Sequence, residues 1–369
     1  MASALTSYLF ATLFFALAIQ TPLKTPRSTL SILHVIATLH TLTSPIPHLG
    51  PYYHLWPSFV IWSTLHTISI LFFERGRVTY VSATTLEDRL ASTFWLWSNI
   101  RRVPIAPPKA RPSSSSSRED EYRARARFGI TKFVHLLVLV GAHYAINTFI
   151  TTTVRNIHLR AADFAPEKQA LLPASLSPRD LYLRTIISSH WIWSTYSLLT
   201  AAHNVLSILS VTLFGWSQPA EWPPLFGSPG AAYSLRRFWA VFWQGLHRAP
   251  FAAFMPVWLR GKNKKKNSRW HWNALRALWM FVLSALCHAL VDFVQTRRNL
   301  LAQELGFFLT NYVVACLETA VGGWIGRRLK KQGMSEEARR GLGYLWVGLF
   351  FFCMVPAWKY PLLQAYLGM

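Results

Sequence analysis

Phe281-Val282-Leu283-Ser284-Ala285-Leu286-Cys287-His288-Ala289-Leu290-Val291-Asp292 sets one histidine in an almost wholly apolar segment. It lies inside a longer apolar run, 272–295, that has the length of a membrane span. A span needs about 20 mostly apolar residues at roughly 1.5 Å of rise each. A helix entering near Trp272 would bring His288 about 24 Å along its axis. An imidazole at that depth is costly to bury, and such groups are often functional. Ser284 and Asp292 stand four residues before and after it, on the same helical face. Asp292 there can hold the ring in one tautomer, and Ser284 adds a polar wall. The bland alternative is a structural hydrogen bond between helices.

Outward from this run the same pattern recurs. Apolar stretches at roughly 4–20, 28–43, 55–73, 129–152, 181–214, 272–295, 302–325 and 341–359 predict an all-α integral membrane protein with about eight transmembrane helices. The first stretch lacks the basic start of a secretory signal and is expected to remain as a span. Only 14% of the residues are charged and 52% are hydrophobic. A water-soluble surface usually needs about 25% charged residues, so much of this surface is expected to face lipid. The net charge of +23 sits largely in the loops between apolar runs, where topology and anionic head groups account for it. No nucleic-acid-binding motif accompanies it. Cys287, Cys316 and Cys353 lie singly in apolar runs, which excludes a disulfide framework and a zinc spacing. No metal cluster is expected.

Basic loops placed on the cytosolic side put both termini in the lumen only if residues 236–260 begin and end on one side. That segment holds Pro250 and Pro256 among aromatic residues and is expected to be re-entrant or interfacial. The stretch 104–127, with Pro107, Pro108 and a serine run, predicts a flexible cytosolic loop, disordered or weakly helical. Residues 1–369 are otherwise expected to form a single helical membrane domain.

A second segment carries chemistry. Pro223-Pro224-Leu225-Phe226-Gly227 is followed by Ser234-Leu235-Arg236-Arg237-Phe238-Trp239-Ala240-Val241-Phe242-Trp243-Gln244. Taken by itself it reads as an interfacial aromatic belt with topogenic arginines. Taken in order with the Ser-x-x-x-His helix, it resembles the wax-synthase-like branch of the membrane-bound O-acyltransferase superfamily, the fungal secondary-metabolite acetyltransferases above all. The resemblance is sharp over about 223–244 and 281–292. It implies that His288 is the intramembrane catalytic histidine. The family's second polar position, Asn, Asp or His, falls on Gln244, and Ala240-Val241 replace the common Gly-Arg. Gln244 donates and accepts hydrogen bonds but is no base, and His247 is a candidate substitute.

The chemistry so implied is transfer of an acyl group, acetyl first, from acyl-CoA as co-substrate to the hydroxyl of a lipophilic alcohol such as a terpenoid. A base takes the hydroxyl proton, donors hold the oxyanion, and water is kept out. His288 is the expected base, with Gln244 beside it and Ser284, Asp292 and His247 in support. Arg236, Arg237, Trp239, Trp243 and Arg260 are the expected acyl-CoA contacts, with the basic run Lys262–Arg269 concentrating the donor or serving topology and anionic lipid. No bound cofactor is expected. Long-chain wax ester synthesis is the alternative within this chemistry. Outside it, a transporter using intramembrane His288, Asp292 and Glu318 is the rival, and a lipid-binding pseudoenzyme is a third reading. His143 with Asn147, and His203 with Asn204, are expected either to line a tunnel or to bond between helices. The endoplasmic reticulum is the expected membrane.

Overall fold

A computed structural model describes residues 2–44, 55–74, 85–104, 115–261 and 269–367. The described residues contain helices and turns and no strand. In chain order the helices are α1 (Ala2–Gln20), α2 (Lys24–Thr43), α3 (Leu55–Ile68), α4 (Leu86–Ser98), α5 (Ser115–Ile157) and α6 (Pro178–Ser207). Then come the short α7 (Leu235–Arg237), α8 (Arg248–Ala253) and α9 (Val257–Arg260), and the long α10 (Arg269–Thr296), α11 (Leu301–Lys331) and α12 (Glu336–Leu367). π-helical turns extend α3 over Ser69–Phe73 and α6 over Ile208–Leu213, and a third follows α7 over Phe238–Phe242.

Every apolar stretch expected to span falls on a helix. Among the described residues, six helical segments are long and apolar enough to cross a membrane: Leu55–Phe73, Glu119–Thr153, Pro178–Leu213, Trp270–Thr296, Leu301–Lys331 and Glu336–Ala365. α1 and α2 do not reach that standard. α2 buries Ser31, His34, Thr38 and Thr41, a polar face that lowers its apolarity. The chain is therefore an all-α membrane protein, with six such helices where the sequence suggested about eight.

The stretch 104–127 is expected as a flexible loop, disordered or weakly helical, and most of its described part is helix. Residues 105–114 lie outside the described residues, but from Ser115 onward the chain is already helix α5. Glu119 pairs with Arg123 at 2.6 Å and Glu121 with Arg125 at 2.7 Å, each one turn apart. Such i,i+4 pairs support a helix whose sequence is otherwise polar.

The chain divides into two compact units, each assembled from two separated stretches. Unit 1 comprises Met1–Arg102 and Leu246–Leu309. In it α1 packs on α2, α2 on α3, and α3 on α10. Phe15, Ala18, Ile19, Ile70 and Leu71 form a buried apolar cluster. His34 joins three helices: Nδ1 donates to the Ala11 carbonyl and Nε2 accepts from the Thr67 hydroxyl, both at 2.8 Å. Arg102 closes the first stretch. It forms a bidentate pair with Glu74 at 2.8 Å, donates to Ser69 Oγ at 2.8 Å and to His66 Nδ1 at 3.0 Å. His66 Nε2 donates to the Leu96 carbonyl, which fixes that ring as the neutral Nε2–H tautomer.

Unit 2 comprises Val103–Gly245 and Thr310–Met369. α5 and α6 are joined by polar rungs. His143 contacts Asn147 at 2.8 Å and Ser197 at 3.1 Å, His190 contacts Asn147 at 2.9 Å, and Asn204 contacts His135 at 3.2 Å. His143, Asn147 and Asn204 thus take part in interhelical hydrogen bonds. The loop before α6 is tied down by charge. Arg179 holds Asp163, Lys168 holds Asp180, and buried Arg184 donates to the carbonyls of Lys168 and Ala170. The Ser177–Asp180 capping box starts α6.

Candidate functional site

In unit 2 the Pro-Leu-Phe-Gly and Ser-Leu-Arg-Arg-Phe-Trp segments fold against each other. Ser234 caps α7 by accepting from the Arg237 amide at 3.2 Å. The Glu318 carboxylate of α11 accepts from the amides of Leu235 and Arg236, each at 2.9 Å, and from the Trp346 indole at 2.7 Å. The π turn Phe238–Phe242 follows at once. Gly227 donates its amide to the Phe242 carbonyl at 2.9 Å. A Cβ there would sit 2.2 Å from the Val241 oxygen, so the motif needs a glycine. Trp239 donates to Oδ1 of fully buried Asn311 at 2.9 Å.

The expected acyl-CoA contacts in this unit separate into two kinds. Trp239 and Trp243 are packed into an aromatic cluster with Trp191, Phe238 and Phe351. They build the turn. Arg236 is exposed. Arg237 lies over the Tyr233 ring at 4.6 Å and donates Nε–H to the Ala231 carbonyl. Gln244 follows the π turn at the end of this stretch of unit 2, half-buried.

In unit 1, α10 is anchored to the α8–α9 segment. Arg276 donates to the Leu259 carbonyl at 3.0 Å and also to that of Gly261, and Trp279 donates to the Phe251 carbonyl at 3.1 Å. Arg260 belongs to this anchoring: its guanidinium donates to the carbonyls of Met255 and Ala253. The neighbouring Lys262, Lys264, Lys265 and Lys266 lie outside the described residues, and so does the side chain of Arg269.

His288 sits in the C-terminal half of α10, half-buried, among aromatic rings. Phe308 of α11 stacks on it with centroids 5.2 Å apart and planes at 25°. Trp62 of α3 meets it edge-on at 5.4 Å and 69°. Trp62 also stacks on His247, at 3.9 Å and 23°, and touches Phe251 at 6.0 Å. The structure therefore brings two expected site residues, His247 and His288, to one indole. Asp292 is buried one turn along α10 and Ser284 half-buried one turn back. Sequence reading passed over Trp62 and Phe308. Both are aromatic residues within apolar runs already full of them, so only their position in space singles them out. Among the described residues no three His, Cys, Asp or Glu side chains converge as metal ligands.

Comparison with known proteins adds a family to this geometry. The profile described as "Membrane bound O-acyl transferase family" matches residues 222–310, which contain both segments. The acetyltransferase ataH of Aspergillus terreus is 29% identical over 252 residues, 65% of this chain and 80% of that protein. Over residues 222–310 the chain is thus similar to the membrane-bound O-acyltransferase family. The acetyltransferase ple2 of Rhodocybe pseudopiperita is 30% identical over 187 residues, 50% of this chain and 48% of the relative. The O-Mevalon transferase yanI of Aspergillus niger is 29% identical over 181 residues, 46% of this chain and 40% of the relative. The match thus spans most of the first relative and less than half of the other two. No solved structure matches the chain. The matched stretch contains both the turn at 238–242 and His288 of α10.

Proposed function

We propose that this membrane-bound O-acyltransferase moves an acetyl group from acetyl-CoA to a hydroxyl of a lipophilic secondary metabolite, such as a terpenoid, with His288 as general base. The observation that carries the reading is the setting of His288: an imidazole within an apolar helix, packed by Phe308 and Trp62, in the stretch the family profile matches. The names of the relatives, several of them fungal acetyltransferases, favour acetyl as the acyl group.

The neutral ring takes the acceptor's hydroxyl proton as the oxygen attacks the thioester carbonyl. A carbon–oxygen bond forms and the tetrahedral oxyanion is held by N–H donors, for which the Gln244 carboxamide is the candidate. The intermediate collapses, the carbon–sulfur bond breaks, and the thiolate takes the proton back from His288. The ester leaves with coenzyme A as thiol, and the ring is neutral again. Aromatic walls keep water from the thioester. Exposed Arg236 and the basic run after Arg260 draw the phosphates of the donor to the cytosolic face of the endoplasmic reticulum membrane.

The test is an assay of microsomes carrying the chain, given radiolabelled acetyl-CoA and an oxygenated terpenoid mixture, against His288→Ala. A labelled lipophilic ester made by the wild type alone supports the reading and identifies the acceptor. Equal labelling by both removes His288 from the mechanism. Label incorporated only when palmitoyl-CoA and hexadecanol replace these substrates turns the assignment to wax ester synthesis.

A further inference from the structure

We propose that Trp62 is a positioning residue of this site, a side chain that packs on both His247 and His288 and sets their planes. The inference rests on the reading that His288 is the base. It goes beyond it by assigning a role to a helix, α3, outside the matched family stretch.

The geometry is specific. The indole lies almost parallel to His247, with centroids 3.9 Å apart and planes at 23°. It crosses His288 at 69° and 5.4 Å, while Phe308 lies nearly flat on the same imidazole at 25° and 5.2 Å. The rings come from four segments of unit 1: α3, the turn before α8, α10 and the start of α11. Offset stacking and edge-to-face contact are the favoured arrangements of such rings. They hold an imidazole by its faces and carbon edges. The ring nitrogens lie in the ring plane, so a stacked neighbour fixes the plane without consuming a proton-transfer atom. A hydrogen bond would fix the ring by occupying one. Stacking on Phe308 restrains the tilt of the His288 ring. The crossing indole supplies the second constraint.

His247 gains its plane from the same indole, and its backbone carbonyl accepts the Phe251 amide at 2.9 Å, which opens α8. Loss of the indole thus loosens both imidazoles at once, although their segments are far apart in sequence. A base displaced by about 1 Å loses roughly 100-fold in rate.

The experiment compares wild type, Trp62→Phe and Trp62→Leu in native membranes, with two readouts. The first is carbethoxylation of histidines by diethyl pyrocarbonate, mapped by mass spectrometry. His34, whose two ring nitrogens are bonded to Ala11 and Thr67, is the internal control. The second is acetyl transfer as kcat, KM and the pH profile of kcat/KM.

In Trp62→Leu, labelling of His247 and His288 should rise together severalfold while His34 stays protected. The kcat should fall about 10- to 100-fold with KM changed by less than about threefold, and the pH profile should shift. Trp62→Phe should recover most of the rate and the wild-type profile. The inference is overturned if an active preparation keeps its kcat within twofold in Trp62→Leu. It is overturned equally if His34 is labelled along with the pair and Trp62→Phe restores nothing, which is loss of fold. A wild type that makes no ester under any acyl donor overturns the acyl-transfer reading, and the catalytic role of Trp62 falls with it.

Discussion

Glu318 of α11 reaches the amide of Leu235, 2.9 Å away, and so caps a helix of which it is not part. The second oxygen takes the Arg236 amide, and the Trp346 indole shares the first. Three N–H donors converge on one carboxylate in a helix long and apolar enough to span. A carboxylate there is expensive without donors. With them it positions the turn that precedes Phe238–Phe242.

Replacing it is therefore a test of the turn. Glu318→Ala leaves two backbone amides and an indole without their acceptor. Hydrogen bonds to a charged group contribute about 1.5–3 kcal/mol, so the loss of detergent-solubilised stability should be of that order or more. Glu318→Gln keeps one carbonyl oxygen and should lose less. Thermal unfolding followed by tryptophan fluorescence measures both. Equal midpoints for wild type and Glu318→Ala would show that the cap contributes nothing to stability.

Two glycines make a sharper steric test. A Cβ on Gly227 would meet the Val241 oxygen at 2.2 Å, and one on Gly343 would meet the Tyr233 oxygen at 2.2 Å. Both neighbours are backbone and have little room to give. Gly348, one turn and a little further along α12, would meet nothing within 4 Å. Gly227→Ala and Gly343→Ala should each cost about 1–3 kcal/mol or more by overpacking. Gly348→Ala should be neutral, or stabilising by roughly 0.5–1 kcal/mol, because alanine suits a helix interior better. The folded fraction in size-exclusion chromatography gives the ranking, and a fold that tolerates all three equally contradicts these contacts.

How much of this was legible in the sequence depends on the range of the interaction. Hydropathy and helical period are local, and each stretch expected to span is a helix. His288 was legible because an imidazole in an apolar run is conspicuous. Trp62 was not, since nothing local distinguishes a tryptophan that faces a histidine from one that faces lipid. Glu318 was visible as an intramembrane acid, but only as a candidate member of a transport pathway. Backbone amides far away in sequence carry no residue-type signature. The pair His143 and Asn147 admitted a tunnel or an interhelical bond, and only the placement of Ser197 and His190 decided for the bond. For Ser115–Arg127 the composition left disorder and weak helix open, because serines and arginines suggest a linker while the Glu-to-Arg pairs one turn apart are a helical signal that composition hides.

The loop before α6 makes stability depend on pH in a way that can be signed. Arg179 donates through Nε to Asp163 Oδ1 at 2.7 Å and through Nη2 to Oδ2 at 2.5 Å, and the Arg160 amide adds a bond to Oδ2 at 2.8 Å. The Arg179 guanidinium hydrogen-bonded to Asp163 holds its carboxyl below the usual carboxylate range, against the opposing effect of burial. A folded-state value below the unfolded one means that the unfolded chain binds the proton more readily. The contribution is present in full above the unfolded value of about 3.9 and fades as pH falls through the lower folded value. Asp163→Asn removes the charge and should flatten this part of the curve, with a lower midpoint than wild type at neutral pH and convergence of the two once the carboxyl is protonated in the folded protein. Thermal midpoints of both proteins across the acidic range measure it. Parallel curves from neutral pH downward would mean that the Asp163–Arg179 pair does not hold the loop in solution.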